Sequence, residues 1–326
     1  MALPASGQIT LNQVNVELGN SGTAQIGMND AAVRGLFGIA SGEIEMSDGY
    51  GKSNEVTLTS AGTVNGQAQR QQITVSSFIS SGGTLVIPSN IWVWSDSTSA
   101  AALTIDVPCT IKVSGKVIGK GGAGVSSGSA AAGLAAGPAI KINSGVSGVT
   151  IQNLSGAYIA GGGGSGGSGA GRGGGGAGGG NGGVGYDYTA TTAGGVLNAV
   201  GARGATHTAG TFGLPACGYG GGAGGGGAGT YQNFYLYGQG GGAGGRILPG
   251  AAGAGGGGNA YSGSAGGSAN NAGVSNGSSY GGGGGGGWGA VGGASTSFAG
   301  GAAGKAIDDS GVSYTLTNSG TIYGAT

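Results

Sequence analysis

GGGGSGGSGAGRGGGGAGGG, residues 161–180, is the stretch whose reading decides this fold. It opens a region, 161–303, that holds 62 of the chain's 90 glycines. Further runs follow at Gly220–Gly222, Gly224–Gly227, Gly255–Gly258 and Gly281–Gly287. A backbone without side chains cannot bury enough apolar area to offset its ordering entropy in the usual way. Such a region is either a flexible linker or a backbone that packs by another rule.

Three features argue against the linker. The region carries only Arg172, Asp187, Arg203 and Arg246 as charges, whereas solvated disordered segments carry many. It lacks a Gly-Ser linker repeat. Bulky residues stand between the runs, including Leu214, Tyr219 and Leu236. The alternative is a bundle of polyglycine-II helices, left-handed and extended like polyproline II, with three residues per turn and ~3.1 Å rise. Every N–H and C=O then points outward and needs a partner on a neighbouring segment, and glycine lets those segments approach. The interruptions become loops at the ends of the bundle. Strict Gly-X-Y with abundant proline is absent, so this is not collagen.

The flanks predict order. GPAIKINSGVSGVTIQNLSGAYIAG at 137–161 and GKAIDDSGVSYTLTNSGTIYG at 304–324 share one pattern. CTIKVSGKVIG at 109–119 matches YTLTNSGTIYG at 314–324 in length and pattern. Repeats of this kind stack or pair, and their alternating apolar positions suit half-buried strands. The reading is that 304–326 pairs with 137–161 and closes the base of a lobe spanning 161–303.

Residues 1–53 hold more charge and read as a small α+β module. Short helices are expected over Leu11–Leu18 and Asn29–Phe37, with Asn29 and Asp30 as N-cap residues. A module of this size needs a partner surface or an oligomer. Residues 54–160 carry strand signals at VTLT 56–59, QITV 72–75, TLVI before Pro88, IWVW 91–94, LTIDV 103–107 and TIKV 110–113. Strands at this spacing predict a β-sandwich or a β-solenoid neck. The fold class expected is therefore mainly β and irregular, with the small α+β module in front and the polyglycine-II bundle behind.

Eleven basic and eleven acidic residues balance, so the electrostatic footprint of a nucleic-acid binder is missing. GRGGGG at 171–176 is a single Arg, not an array. GxGxxG-like strings are inevitable at this glycine content and carry no information. His207 stands alone, with no carboxylate within fifteen residues, which leaves a triad or zinc site without parts. A glycosidase needs two convergent carboxylates. Glu17, Glu43, Glu45 and Glu55 lie in the first 55 residues, Asp308 and Asp309 read as a turn, and only Asp96 and Asp106 stay open. No catalysis, cofactor or metal is expected. Cys109 and Cys217 read as free thiols, since two cysteines make no disulfide framework. Met1-Ala-Leu-Pro predicts no export signal, and no apolar stretch is long enough to span a membrane.

Residues 1–53, with S-G-x-I-x-[LM] at Ser6–Leu11 and Ser41–Met46 and Tyr50-Gly51-Lys52-Ser53 at the end, resemble the N-terminal module of many tailed-phage virion proteins. SGAYIAGGGG at 155–164, the Gly/Ala runs, and NSGTIYG at 318–324 are similar to the glycine-rich receptor-recognising adhesins at the tips of long tail fibres in T-even-like phages. That resemblance implies a stack of polyglycine-II helices whose distal loops contact a host receptor, protein or glycan. It implies a virion location, assembly in the host cytoplasm, and docking on other tail or fibre proteins through 1–53. Fibre attachment points to a homotrimer, a single-copy tip to a monomer. The loops expected to bind are 184–219, 230–238, 259–280 and 288–298. Tyr and Trp provide contact area at low entropy cost, so the candidate contact residues are Tyr186, Tyr188, Phe212, Tyr231, Phe234, Tyr235, Tyr237, Tyr261, Tyr280, Trp288 and Phe298. The competing readings are a fibre-shaft or decoration protein and an ice-binding protein. The latter wants a strict three-residue period and a Thr/Ala plane, neither of which is visible.

Overall fold

In the computed structural model, residues 2–64, 67–124, 131–167, 173, 175–178, 266–275 and 282–326 are described, together with the backbone of 185–187, 196–199, 230–231 and 234–235. The strands are short, most are apolar on alternate positions, and they coil. In chain order they are β1 (Glu55–Thr57), β2 (Gly62–Val64), β3 (Gln67–Gln71), β4 (Ile73–Thr74), β5 (Thr84–Ile87), β6 (Ile91–Trp94), β7 (Leu103–Ile105), β8 (Thr110–Val113), β9 (Lys116–Ile118), β10 (Ile140–Ile142), β11 (Val149–Asn153), β12 (Tyr158–Ala160), β13 (Gly185–Asp187), β14 (Val196–Ala199), β15 (Thr230–Tyr231), β16 (Phe234–Tyr235), β17 (Ile307–Asp308), β18 (Tyr314–Asn318) and β19 (Thr321–Tyr323).

Successive strands step round three sheets. Face A is β1-β5-β8-β11-β18, face B is β2-β3-β6-β9-β12-β19, and face C is β4-β7-β10-β17. Within these three faces every pairing is parallel except the β2–β3 hairpin. Parallel pairing between strands one coil apart makes this a solenoid, and it removes the sandwich alternative, whose sheets are antiparallel. The core is a set of in-register stacks: Leu85, Ile111, Ile151 and Leu316 on face A; Val93, Val117, Ile159 and Ile322 on face B; Ile73, Leu103, Ile140 and Ile307 on face C. Like residues stacked at the strand spacing bury one another's flanks without changing shape from coil to coil. Asn153 is buried in the next column of face A, beside Val113 and Asn318, and donates from Nδ2 to Asn318 Oδ1 at 2.8 Å and to the Thr321 carbonyl at 3.1 Å.

The 137–161 and 304–324 segments are neighbouring coils, with β10, β11 and β12 pairing β17, β18 and β19 in register. The expected strand over 72–75 is present only as β4, Ile73–Thr74, and Gln72 before it is a corner. Gln72 has φ +43°, and the chain leaves face B for face C there. The same B-to-C corner lengthens along the solenoid: Gln72 alone, then 95–102, then 119–139, then 161–306. The glycine region is thus the last and largest insertion at one corner of a repeating coil.

The N-terminal module contains α1 (Leu11–Glu17) and α2 (Ala31–Phe37) around a core of Leu3, Ile9, Val14, Leu18, Val33 and Phe37. Thr10 and Gln13 form a capping box on α1. Asp30 is the N-cap of α2 by conformation only; its carboxylate accepts from Gly27 N–H at 2.8 Å. Glu17 is buried where the module meets the first coil, and its Oε1 accepts from Ser53 Oγ and Asn54 N–H, both at 2.9 Å.

Candidate functional site

The described glycine segments are neither helix nor strand, and their backbones bond to each other. The bonds recur every three residues. Gly162 and Ser165 donate to the carbonyls of Gly137 and Leu134, while Gly164 and Gly167 donate to those of Ala290 and Gly293. Gly283, Gly286 and Gly289 donate to Gly167, Gly164 and Gly161. Gly284 and Gly287 donate to Val274 and Asn271. All of these are 2.8–3.1 Å. One segment therefore serves a different neighbour with each successive residue and returns to the first after three. The spacing leaves no room for side chains. A Cβ on Gly164 would overlap the Gly301 carbonyl, and one on Gly176 the Gly163 carbonyl. Ser165 is one buried exception, its Oγ accepting from Leu134 N–H at 2.7 Å.

The bond pairs also give direction. Segment 161–167 leaves β12 and runs away from the solenoid, 282–287 runs back antiparallel to it, 290–294 runs out again and 299–304 returns to β17. Turns consequently fall in two layers. The turn at Trp288–Gly289 lies on the solenoid side, and that at 295–298 lies on the far side. In the far turn Ser295 N–H donates to the Phe298 carbonyl at 2.8 Å, and Ser295 Oγ accepts from Phe298 N–H at 3.1 Å.

This layering sorts the candidate aromatics. Phe298 is half-buried at the far turn. Trp288, expected at a contact loop, is 1% exposed: it packs against Tyr158 and Tyr323 at ring-centroid distances of 5.4 and 5.6 Å and belongs to a cluster with Trp92, Trp94, Ile118, Ala160 and Ala177. Trp288 is thus a core residue between the lobe and the outer side of face B, and it offers no surface to a ligand. Tyr186 lies in β13, which pairs antiparallel with β14. Tyr231 in β15 pairs Phe234 in β16, next to Tyr235. Tyr188, Phe212, Tyr237, Tyr261 and Tyr280 lie outside the described residues, as do His207 and Cys217.

Face B carries a cation between two rings. Lys116 Nζ sits 4.7 Å from the Trp92 ring centroid and 5.4 Å from that of Tyr158. Burial lowers the Lys116 pKa and raises that of Tyr158, the latter with help from nearby Tyr323. Cys109 is buried and free, and burial followed by the charge of Asp106 pushes its thiol up to about 12. A thiol held neutral in this way is a packing residue, not a nucleophile. Asp106 accepts from Ser76 N–H at 3.0 Å and from Ser76 Oγ, and Asp96 pairs with Lys120 at 3.3 Å, so each has a fold contact. Among the described residues, no three His, Cys, Asp or Glu side chains are grouped to hold a metal, and no helix is long and apolar enough to cross a membrane.

A search of curated proteins gave no match. Among solved structures the chain is similar to the crystal structure of the gp37-gp38 adhesin tip complex of the bacteriophage S16 long tail fiber, at 18% identity and a TM-score of 0.41, covering 90% of each chain. The family model for phage tail fibre adhesin Gp38 matches residues 53–224, which takes in most of the solenoid and the start of the glycine lobe. That match spans more than half of the sequence, and the chain belongs to the phage tail fibre adhesin Gp38 family.

Proposed function

We propose that this adhesin recognises a bacterial surface receptor through loops held by the glycine lobe, and that the lobe is a polyglycine-II lattice. The observation that carries this reading is the three-residue period of the inter-segment bonds. A backbone with three residues per turn and no internal bonds presents its N–H groups in three directions in turn. Such a lattice is stiff without side chains. Among the described residues of the lobe, the one aromatic ring buried in a core is Trp288 at the base. The remaining aromatics, Tyr186, Tyr188, Phe212, Tyr231, Phe234, Tyr235, Tyr237, Tyr261, Tyr280 and Phe298, are then available for recognition by stacking and edge contacts. The reading is of a binding protein without a catalytic step, located on the virion at the fibre tip.

Attachment belongs to the other pole. Residues 2–53 sit on the first coil, while the lobe leaves from the later coils. The module exposes Leu11 at 40%, Val16 at 57% and Tyr50 at 41%.

The test is adsorption of the labelled full chain to a panel of bacterial strains, with and without surface proteolysis. Saturable binding to a subset is expected, and it should be lost when the aromatics of 184–219, 230–238 and 259–280 are replaced by Ser. Unchanged binding by that variant would overturn the reading. Loss of binding after proteolysis assigns a protein receptor, and persistence assigns a glycan.

A further inference from the structure

A glycine lattice has a weakness that a sheet with side chains lacks. A strand that slips by one residue turns its apolar face to water, so register is enforced. In the lobe the bonds repeat every three residues, and Gly281–Gly287 is a homopolymer. Sliding 282–287 along its neighbours re-forms the same N–H to C=O bonds with the same atoms. The backbone alone therefore does not fix where this segment stops.

The outer segments have no such freedom. Segment 161–167 is joined to β12 and 299–304 leads into β17, and both strands are locked by the solenoid stacks. Segments 266–275 and 282–294 lack a joint of this kind. Each instead makes a turn on the solenoid side, and both turns meet the end of β19 at Gly324. Asn270 adopts φ +60° and accepts on Oδ1 from Gly324 N–H at 3.0 Å. Its own N–H donates to the Trp288 carbonyl at 2.9 Å, which ties the two turns together. Trp288 packs against Tyr323, and Gly289 lies against the Tyr323–Gly324 backbone so closely that a Cβ would overlap it. The Tyr323 carbonyl also receives Gly161 N–H at 2.9 Å.

We propose that Tyr323–Gly324, at the end of the last solenoid strand, is the foot that sets the axial register of the two inner glycine segments through Trp288 and Asn270. The proposal rests on the lattice reading above and is independent of what the loops bind. It assigns a role to the last residues of the solenoid: they fix how far each far-side turn projects. Trp288 supplies the shape that glycine cannot, a large ring that fits one place on face B, and Asn270 supplies the polar half of the latch.

Methyl NMR of the full chain tests it. In the unaltered protein Val274 and Val291, both half-exposed on the inner segments, should each give one set of methyl signals. The double variant Trp288→Ala/Asn270→Gly keeps the left-handed turn but removes ring and acceptor. It should show a second set at Val274 and Val291 of ~10% intensity or more, the population of a competing state no longer penalised. Val113 and Val149 in the solenoid should stay single, and Trp288→Phe should restore one set throughout. A single unshifted set in the double variant overturns the proposal, because register is then fixed elsewhere. Disappearance of lobe signals while the solenoid persists also overturns it, since the foot is then needed for folding and not for register. If the double variant does not fold, Asn270→Gly alone decides by the same criterion. Failure of the lattice reading looks different: the Gly163 and Gly286 amides of the unaltered protein would exchange as fast as unprotected ones.

Discussion

The solenoid and the glycine lobe pair their backbones by opposite uses of the side chain. In the solenoid each strand offers its N–H and C=O groups to two neighbours in one plane, and columns such as Leu85, Ile111 and Ile151 fill the space between three planes. In the lobe each segment bonds in several directions, and the space between segments is closed by bringing backbones together until no Cβ fits. The first arrangement gains from apolar burial, at roughly 25 cal/mol per Å². The second gains little that way and depends on satisfied polar groups and close backbone contacts, including Cα–H···O contacts. A solenoid should therefore be damaged by removing carbon, and the lobe by adding it.

The largest effect expected is in the solenoid. Ile151→Ala empties a fully buried position stacked between Ile111 and Leu316 and should cost about 2–5 kcal/mol. Urea unfolding followed by far-UV circular dichroism would measure it. A loss below ~1 kcal/mol, less than the ordinary cost of such a truncation, would mean that the stacks are not the source of stability.

The converse change is Gly164→Ala. It adds one carbon where the Gly301 carbonyl already lies, and overpacking of this kind should cost about 1–3 kcal/mol. Hydrogen exchange read segment by segment should show lost protection at 161–167 and 299–304, with β5, β8 and β11 unchanged. Unaltered protection in the lobe would break the comparison, because close backbone approach would then not be what holds it.

The two regions were unequally legible in the sequence, for the same physical reason. Glycine counts mark the lobe at once, yet its three-residue bond period leaves no mark, since identical residues display no pattern. The solenoid's alternation is visible in IWVW and TIKV, but alternation is common to parallel and antiparallel sheets. The three related copies ending at 119, 161 and 324 carry the missing information, because each contains the A-to-B half of one coil. Two details escaped pattern reading. The polar strand Gln67–Gln71 offers no apolar alternation and pairs through its backbone with β6. Gln72, inside an apparently continuous QITV, takes a left-handed conformation that residue type does not announce. Trp288 was misplaced for a related reason. A lone ring in a glycine run looks displayed until the face that receives it is known.

A middling effect is expected where the solenoid uses a polar side chain inside its core. Asn153→Ala removes a buried donor from Asn318 Oδ1 and the Thr321 carbonyl, both on exposed residues that water can reach, and should cost about 0.5–1.5 kcal/mol. The loss should concentrate on the last coil, seen as faster exchange in β18 and β19. A uniform loss across all coils would show that the solenoid unfolds as one unit and that the last coil has no separate stability.

The smallest effect probes the seam between the two regions. Lys116 stands between Trp92 and Tyr158, and Tyr158 in turn touches Trp288 of the lobe. Lys116→Met keeps the aliphatic stem and removes the charge, so it isolates the cation–π contribution, about 0.5–1 kcal/mol at a partly exposed site. Combining it with Trp288→Phe in a double-mutant cycle tests whether that contribution reaches the lobe. If Lys116 only orders the face-B rings, the two changes should add. A coupling energy of ~0.5 kcal/mol or more, above the usual scatter of additive pairs, would mean that face B and the lobe share one packed unit. The contrast between a side-chain core and a glycine lattice would then end at Tyr158 and not at the corner where residue 161 leaves the coil.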